Sequence, residues 1–458
     1  MAQTKGKRGE RGVGRRRSRR TFAAGLAGMT GATIAASGLL AACNRAGGES
    51  ATEGQAARVA EPQEIEVWVT NYPPVVEAYK SLVEQFQREH PRVRVTGGEG
   101  VAKTGNADTL IPAVTGGTPP HAAELNQPNT WSFAGQNVYA PLNEYVKRDK
   151  VTSQAMADFY PGQLEAVTWR DQTYFFPVGV SMEVWHANQS FWKRAGIELP
   201  RAGWTWNDLA NAYGPKLQGA VGPEGSAFMM ELNEMYRMLA FVKQNGGDML
   251  DKSGTKLTIA EPASVEAFEF VRGLVAKGIL VEQNKEKTNF RLDGLNVALE
   301  LEGMTRIPVY RKALGTDQAW VPGPKQKVRA NVYDSWVVGL VRNDDPKKME
   351  AAYQWLAWLI QPEHNLAYQK ARANLPPRRA VTQLPNAADL WGSEPLIKAA
   401  MDDLNYGTTF PFTPATGLLR TALNQQALPL ILRDGQPVSQ TLKQVVPLLE
   451  SQYGALLK

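Results

Sequence analysis

Read for its apolar and polar positions, the chain after about residue 62 alternates between two periods. Ile65-Glu66-Val67-Trp68-Val69 has the period of two expected of a strand, and Asn71-Tyr72-Pro73-Pro74 breaks it. Val76, Tyr79, Leu82, Val83 and Phe86 then recur at helical spacing up to the stop at Pro91, and Val93 and Val95 supply a second strand. A strand, helix, strand unit of this length predicts a crossover in a parallel sheet. Leu110, Ile111 and Val114 predict a further helix that ends at Gly116-Gly117-Thr118-Pro119-Pro120, and His121 to Leu125 read as a short strand. The pattern is alternating α/β. About 395 residues of this kind exceed one compact core and suit two lobes.

The first sixty residues follow another pattern. Residues 1–43 hold nine Lys and Arg against Glu10 alone, a surplus of eight. The whole chain carries +6, so the remainder carries −2. A nearly neutral body gives no electrostatic footprint for a phosphate backbone, which argues against a nucleic-acid partner. The basic cluster ends in Ser18-Arg19-Arg20-Thr21-Phe22, and no charged residue follows until after Asn44. This is the layout of an export signal, and its arginine pair resembles the twin-arginine type. Leu40-Ala41-Ala42-Cys43 matches a lipobox, and Cys43 is the sole cysteine, so no disulfide and no Cys-based metal site is expected. The expected layout is a signal peptide over 1–42, then lipidated Cys43 and a small, polar tether over 43–62. The product would sit lipid-anchored on the outer face of the cytoplasmic membrane.

Several stretches then carry a resemblance. They are the run from Leu110 to Leu142 with its Gly-Thr-Pro-Pro turn, Tyr174-Phe175-Phe176-Pro177-Val178, and Asn188 to Leu209 with Ala195-Gly196-Ile197 and Trp204-Thr205-Trp206-Asn207-Asp208-Leu209. Further on come Gln244-Asn245-Gly246-Gly247, Ala298 with Glu300 and Gly303, Val321-Pro322-Gly323-Pro324, Ala351 to Ile360, and Pro376-Pro377-Arg378-Arg379. Their order over some three hundred residues resembles family 1 extracellular solute-binding proteins of ABC importers. His121 departs from the family's usual Asp, and Thr305 stands where many sugar binders place an aromatic. The resemblance implies a periplasmic-binding-protein-like α/β fold: two lobes, a multi-crossing hinge and an inter-lobe cleft. Lobe one would hold 63–180 plus 335–376, and lobe two 181–334 plus 377–458. It also implies a monomer that delivers a carbohydrate to the permease subunits of an importer.

No nucleophile elbow, phosphate loop or His-Glu-x-x-His motif is present, the four histidines are scattered, and no cofactor or metal is expected. A sugar binder needs aromatic faces for the ring and planar polar groups for its hydroxyls, on loops at strand ends. Asn71 and Tyr72 follow the first strand; Glu124, Asn126 and Gln127 end the third, with Trp131 beyond. Tyr236, beside Glu234, lies at a position where the resemblance implies a stacking aromatic, and Arg306 follows Gly303. Asp334 and Trp336 stand at the expected second hinge crossing. Each has a rival role: core packing for Trp131 and Tyr236, lobe packing for Trp336, a turn for Asp334, and pairing with Glu302 for Arg306. The rivals for the whole protein are a non-sugar binder, for a polyamine or peptide and least of all for ferric ion, a secreted carbohydrate-active enzyme, and an anchored structural protein.

Overall fold

The computed structural model describes residues 59, 61–97, 107–133, 136–283, 296–372, 374–388 and 401–457. The export signal, the lipobox with Cys43 and most of the tether lie outside the described residues.

β1 (Gln63–Trp68) and β2 (Val93–Thr96) pair in parallel, with Ile65 opposite Val95. α1 (Pro73–Glu89) joins them and starts on the two prolines, whose fixed φ suits the first helical turn. Its buried stripe is Val75, Tyr79, Leu82 and Phe86, so the helix is rotated slightly from the expected Val76 face. The stripe meets the helix Pro346–Leu359, where Trp355 lies 5.4 Å from Tyr79 and 5.2 Å from Phe86, both edge to face. α2 (Ala107–Thr115) leads to β3 (Ala122–Asn126), parallel to β1. The hairpin β4 (Thr168–Trp169) and β5 (Gln172–Thr173) follows.

β6 (Phe175–Asn188) is the long strand of the molecule. After it come β7 (Ser226–Met230), β8 (Leu280–Glu282), β9 (Val297–Gly303), β10 (Gln318–Val321), β11 (Asn331–Leu340) and β12 (Gly407–Thr408). Ten of the strands form one sheet in the order β2-β1-β3-β11-β6-β9-β7-β8, with β10 beside β6 and β12 beside β11. The sheet has two halves of different parentage. β6 pairs with β11 over Phe175 to Met182 and with β9 over Glu183 to Ala187. It therefore leaves one half and enters the other at Met182-Glu183. β11 closes the first half against β3, Trp336 to Leu340 facing Asn126 to Ala122, and is bulged between Trp336 and Val337.

Asp345 caps the helix Pro346–Leu359, accepting from Lys347 and Lys348 N–H. Asp403 is buried and paired with Arg329. No helix among the described residues is long and apolar enough to cross a membrane.

Candidate functional site at the junction of the two half-sheets

Four of the sequence-selected residues lie on paired strands, Glu124 and Asn126 on β3 and Asp334 and Trp336 on β11. Asn71 and Tyr72 are exposed at the end of β1, and Tyr72 keeps 48% of its surface in solvent beside the prolines of α1. A large aromatic left open there has no packing partner to satisfy and is free to meet a solute.

Glu124 is different. Its side chain is fully buried, accepts the Thr70 N–H at 3.0 Å and pairs with Arg372 from the helix Pro362–Arg372. The Arg372 guanidinium in turn lies 3.8 Å over the half-buried Trp336 ring. Glu124 thus holds an arginine on an aromatic face, a cation–π contact reinforced by a buried ion pair. Asn126 starts α3 (Gln127–Thr130) and accepts from the Asn129 amide.

The other half-sheet repeats the motif. Glu234 caps the helix Met235–Gln244 by accepting the Tyr236 N–H at 3.0 Å, and Arg420 from the helix Thr416–Gln426 grips both Glu234 oxygens at 2.9 and 2.6 Å. Burial alone would raise the Glu234 carboxyl, but the Arg420 guanidinium outweighs it and leaves the group below its ordinary value. Arg420 lies 5.0 Å over the Tyr236 ring. Phe410 stands 4.8 Å from that ring and 5.5 Å from Trp131, so an aromatic row runs from the first half-sheet to the second. Gln127 fixes the row's middle: it donates to the Phe410 carbonyl at 3.2 Å and accepts from Thr409 at 2.7 Å. Trp131 is 1% exposed and Tyr236 7%. Both are packed within the protein here, as their rival role required.

Three further acids lie on the strands β6, β9 and β11. Arg237 pairs with Glu183 of β6 and, at 2.8 Å, with Glu302 of β9. Burial pushes Glu183 up to about 7 against the pull of Arg237. For Glu302 burial is outweighed, chiefly by Arg237 and least by Arg306, and the group sits below its ordinary value. The expected Arg306–Glu302 pair is thus replaced by Arg237–Glu302, and Arg306 adds only a longer-range field. Asp334 on β11 is pushed up to about 7 by burial, although it accepts from the Ser335 and Gln127 N–H groups and feels Arg420. Its Oδ1 has no hydrogen-bond partner among the described residues.

Two residues that the sequence reading missed complete the floor. A Cβ on Gly179 of β6 would stand 3.0 Å from the Gln369 amide and 3.4 Å from that of Asn374, so glycine lets both amides approach the strand. Both side chains are buried, and Gln369 Nε2 and Oε1 and Asn374 Nδ2 lack partners among the described residues. Buried planar amides with free donors and acceptors are what polyhydroxyl recognition uses, and each orphan group carries a cost until it is met. Arg372 and Arg420 were missed as well. Neither carries a local signal, since an arginine near a helix end is ordinary and its glutamate partner lies far off in sequence.

The junction offers acceptors, donors and aromatic surface. Among the described residues no group of three or more His, Asp or Glu could hold a metal. His186, the histidine nearest the acids, is pushed down to about 4 by burial and stays neutral against the Gly303 carbonyl at 3.3 Å. His121, at the family's Asp position, accepts the Glu66 N–H at 2.9 Å and so ties β3 to β1. A separate hollow of about 570 Å³, lined by residues including Glu66, Tyr79, Lys80, Val83 and Thr96, lies beside α1 and β2.

The described residues form a mixed α/β scaffold whose strands β6 and β11 pair with both parts of the sheet. The family model described as bacterial extracellular solute-binding protein matches residues 81–399, and the chain belongs to that family. Its place is therefore outside the cytoplasm. Among solved structures, the fold is similar to that of the cyclic alpha-maltosyl-1,6-maltose binding protein of Arthrobacter globiformis, with TM-score 0.75, 17% identity and coverage of 87% of this chain and 99% of that one. An ABC substrate-binding protein of Listeria monocytogenes in complex with cycloalternan gives 0.66 at 21% identity, covering 86% and 100%. UgpB of Mycobacterium tuberculosis, in complex with glycerophosphocholine, gives 0.69 at 19%, covering 86% and 100%. These likenesses establish a periplasmic-binding-protein-like fold. No curated protein matches the chain in sequence.

Proposed function

We propose that the protein captures a carbohydrate between two lobes that meet at β6 and β11, and hands it unchanged to the permease of an ABC importer. Lobe one comprises 63–180 plus 335–376 and lobe two 181–334 plus 377–458, with the change of partner along β6 at Met182-Glu183 as the natural hinge. The observation that carries the reading is the gathering of unpartnered polar atoms at that crossing: Asp334 Oδ1, the Tyr236 hydroxyl, the Gln369 amide and Asn374 Nδ2. Hydroxyl groups of a sugar satisfy such atoms from both sides, and closure about a hinge removes them from water. Two of the structural neighbours are described with cycloalternan and with cyclic alpha-maltosyl-1,6-maltose, which supports the same class of solute.

The protein acts without turnover, as a monomer anchored through lipidated Cys43 after export by the twin-arginine route. Cys43→Ser then releases it from membranes or leaves the precursor uncleaved, and Arg19→Lys with Arg20→Lys blocks export, because only the guanidinium pair is lost. A glycerophosphodiester, the solute of the mycobacterial neighbour, is a second reading. Its phosphodiester anion would meet Asp334 unfavourably, whereas a choline ammonium on the same molecule would suit the acids and aromatic rings there. A thermal-shift screen over saccharides, glycerophosphodiesters, polyamines and peptides tests the proposal. A true ligand at one hundred times its Kd adds about 2.7 kcal/mol to folding stability. Shifts confined to non-sugar solutes overturn the carbohydrate assignment.

A further inference from the structure

The floor of the junction over Gly179 is held by two ties to β6. Along β6 and β11 the pairing steps from Gly179 opposite Trp336 to Pro177 opposite Val337 and passes over Val178, whose carbonyl accepts from the Asn365 amide of the helix Pro362–Arg372 at 3.0 Å. Beyond that helix, Leu375 exchanges both backbone hydrogen bonds with Val180 at 2.9 Å. Gln369, one turn after Asn365, and Asn374 are thereby set against Gly179. A Cβ there would stand 3.0 and 3.2 Å from the Gln369 amide oxygen and nitrogen and 3.4 Å from Asn374 Nδ2. All three atoms are buried and have no hydrogen-bond partner among the described residues. Trp336, half-buried, gives the group its edge to solvent.

No bond of the fold depends on these three atoms. An apolar side chain of similar shape would lose nothing in their place, whereas a buried amide without partners costs stability and calls for a reason. The charges beside them are already matched, Arg372 with Glu124, so the group they meet needs no charge of its own. Gln369 presents an acceptor and a donor side by side, and Asn374 adds a donor. Turning the Gln369 amide over exchanges its two atoms but keeps both kinds. A carboxylate or phosphate oxygen only accepts and leaves the Gln369 oxygen unmet; an ammonium only donates and leaves both nitrogens unmet. A hydroxyl gives to the one and takes from the other. Resting on the carbohydrate reading above, we propose that Gly179 is a specificity-determining position, whose missing side chain lets Gln369 and Asn374 form a subsite for an uncharged hydroxyl of the sugar.

Titration calorimetry and ligand-free melting curves of the full chain and of its Gln369→Met and Gly179→Ala variants test this with D-glucose, D-galactose, maltose, cellobiose and their monodeoxy derivatives. Methionine keeps the length of glutamine without its amide, so the ligand-free Gln369→Met chain is expected to melt at or above the unaltered one. Its affinity for a saccharide that the unaltered chain binds is expected to fall about three- to tenfold, the range of a net uncharged hydrogen bond. Gly179 has no left-handed φ, and an alanine there meets only the ends of two flexible side chains. Gly179→Ala is therefore expected to shift the melting temperature by less than about 3 °C and to weaken binding at least as much as Gln369→Met, because it moves both amides. One monodeoxy derivative is expected to bind the unaltered chain more weakly than its parent sugar does, and Gln369→Met equally well, which identifies the hydroxyl. Gln369→Met carries the test even if Gly179→Ala fails to fold. Unchanged affinity in the folded variants, or a ligand-free Gln369→Met chain that melts clearly below the unaltered one, overturns the inference and leaves the carbohydrate reading intact. If no saccharide of the panel binds the unaltered chain, both readings fall.

Discussion

The two Glu–Arg–aromatic motifs at the junction have the same parts and different settings. In Glu124–Arg372–Trp336 the ion pair is sealed, with the Arg372 and Glu124 side chains 4% and 0% exposed. In Glu234–Arg420–Tyr236 the pair keeps 23% and 17% of its surface in solvent. The first binds β3, β11 and the helix Pro362–Arg372 into one unit. The second sits at a helix start and stays partly open to solvent. The same chemistry is thus sealed on one side and more open on the other, and unpartnered atoms lie beside both: the Gln369 and Asn374 amides against Gly179, opposite Trp336, and Asp334 Oδ1 within the field of Arg420.

The largest expected effect is on the sealed side. Arg372→Ala strands a buried carboxylate at Glu124 and is expected to cost about 3–5 kcal/mol of stability, read from urea denaturation midpoints. Tyr236→Ala opens a cavity beside Phe410 and is expected to cost about 3 kcal/mol in the same assay, besides any loss of affinity. Arg420→Ala, on the more open pair, is expected to cost about 1–2 kcal/mol, because solvent replaces part of what Glu234 loses. Equal costs for Arg372→Ala and Arg420→Ala would erase the contrast. At the small end, Tyr72→Ala is expected to change stability by less than about 0.5 kcal/mol while weakening solute binding, since the ring is half open in the free protein.

A pH titration of stability examines the acids between the motifs. Glu183 and Asp334 are raised to about 7 in the folded protein, against ordinary values of 4.5 and 3.8. Between about pH 4 and 7 the folded chain therefore binds more protons than the unfolded one. Their contribution favours folding at the acid end and is lost as pH rises through 7. Asp334→Asn should flatten that fall in the ligand-free protein. A steeper fall in the variant would contradict the assignment of Asp334 as an unmatched charge.

Periodicity was sufficient for the strands and helices that alternate, because each buries one face: β1, α1, β2 and β3 stand where the apolar pattern placed them. The family resemblance, not periodicity, set Asp334 and Trp336 together on one crossing strand, and both lie on β11, which pairs with β3 and β6. Partnership was not legible. Glu124 looked like a strand-end acceptor, and only the fold brings Arg372 to it from 248 residues away. Gln369 and Asn374 were invisible for a related reason: a buried amide and a surface amide have the same spacing in sequence, and what distinguishes them is the missing side chain of Gly179 on another element. Trp131 and Tyr236 were found by position, but whether such an aromatic faces solute or Phe410 depends on a segment far later in the chain than either.

The central claim is capture without conversion, and calorimetric titration of the full chain with saccharides, followed by chromatographic recovery of the ligand, tests it most directly. Saturable binding at one site per chain, with the saccharide recovered intact after prolonged incubation, is the predicted result. Absence of binding by every saccharide, or its time-dependent disappearance into a product, would contradict the claim.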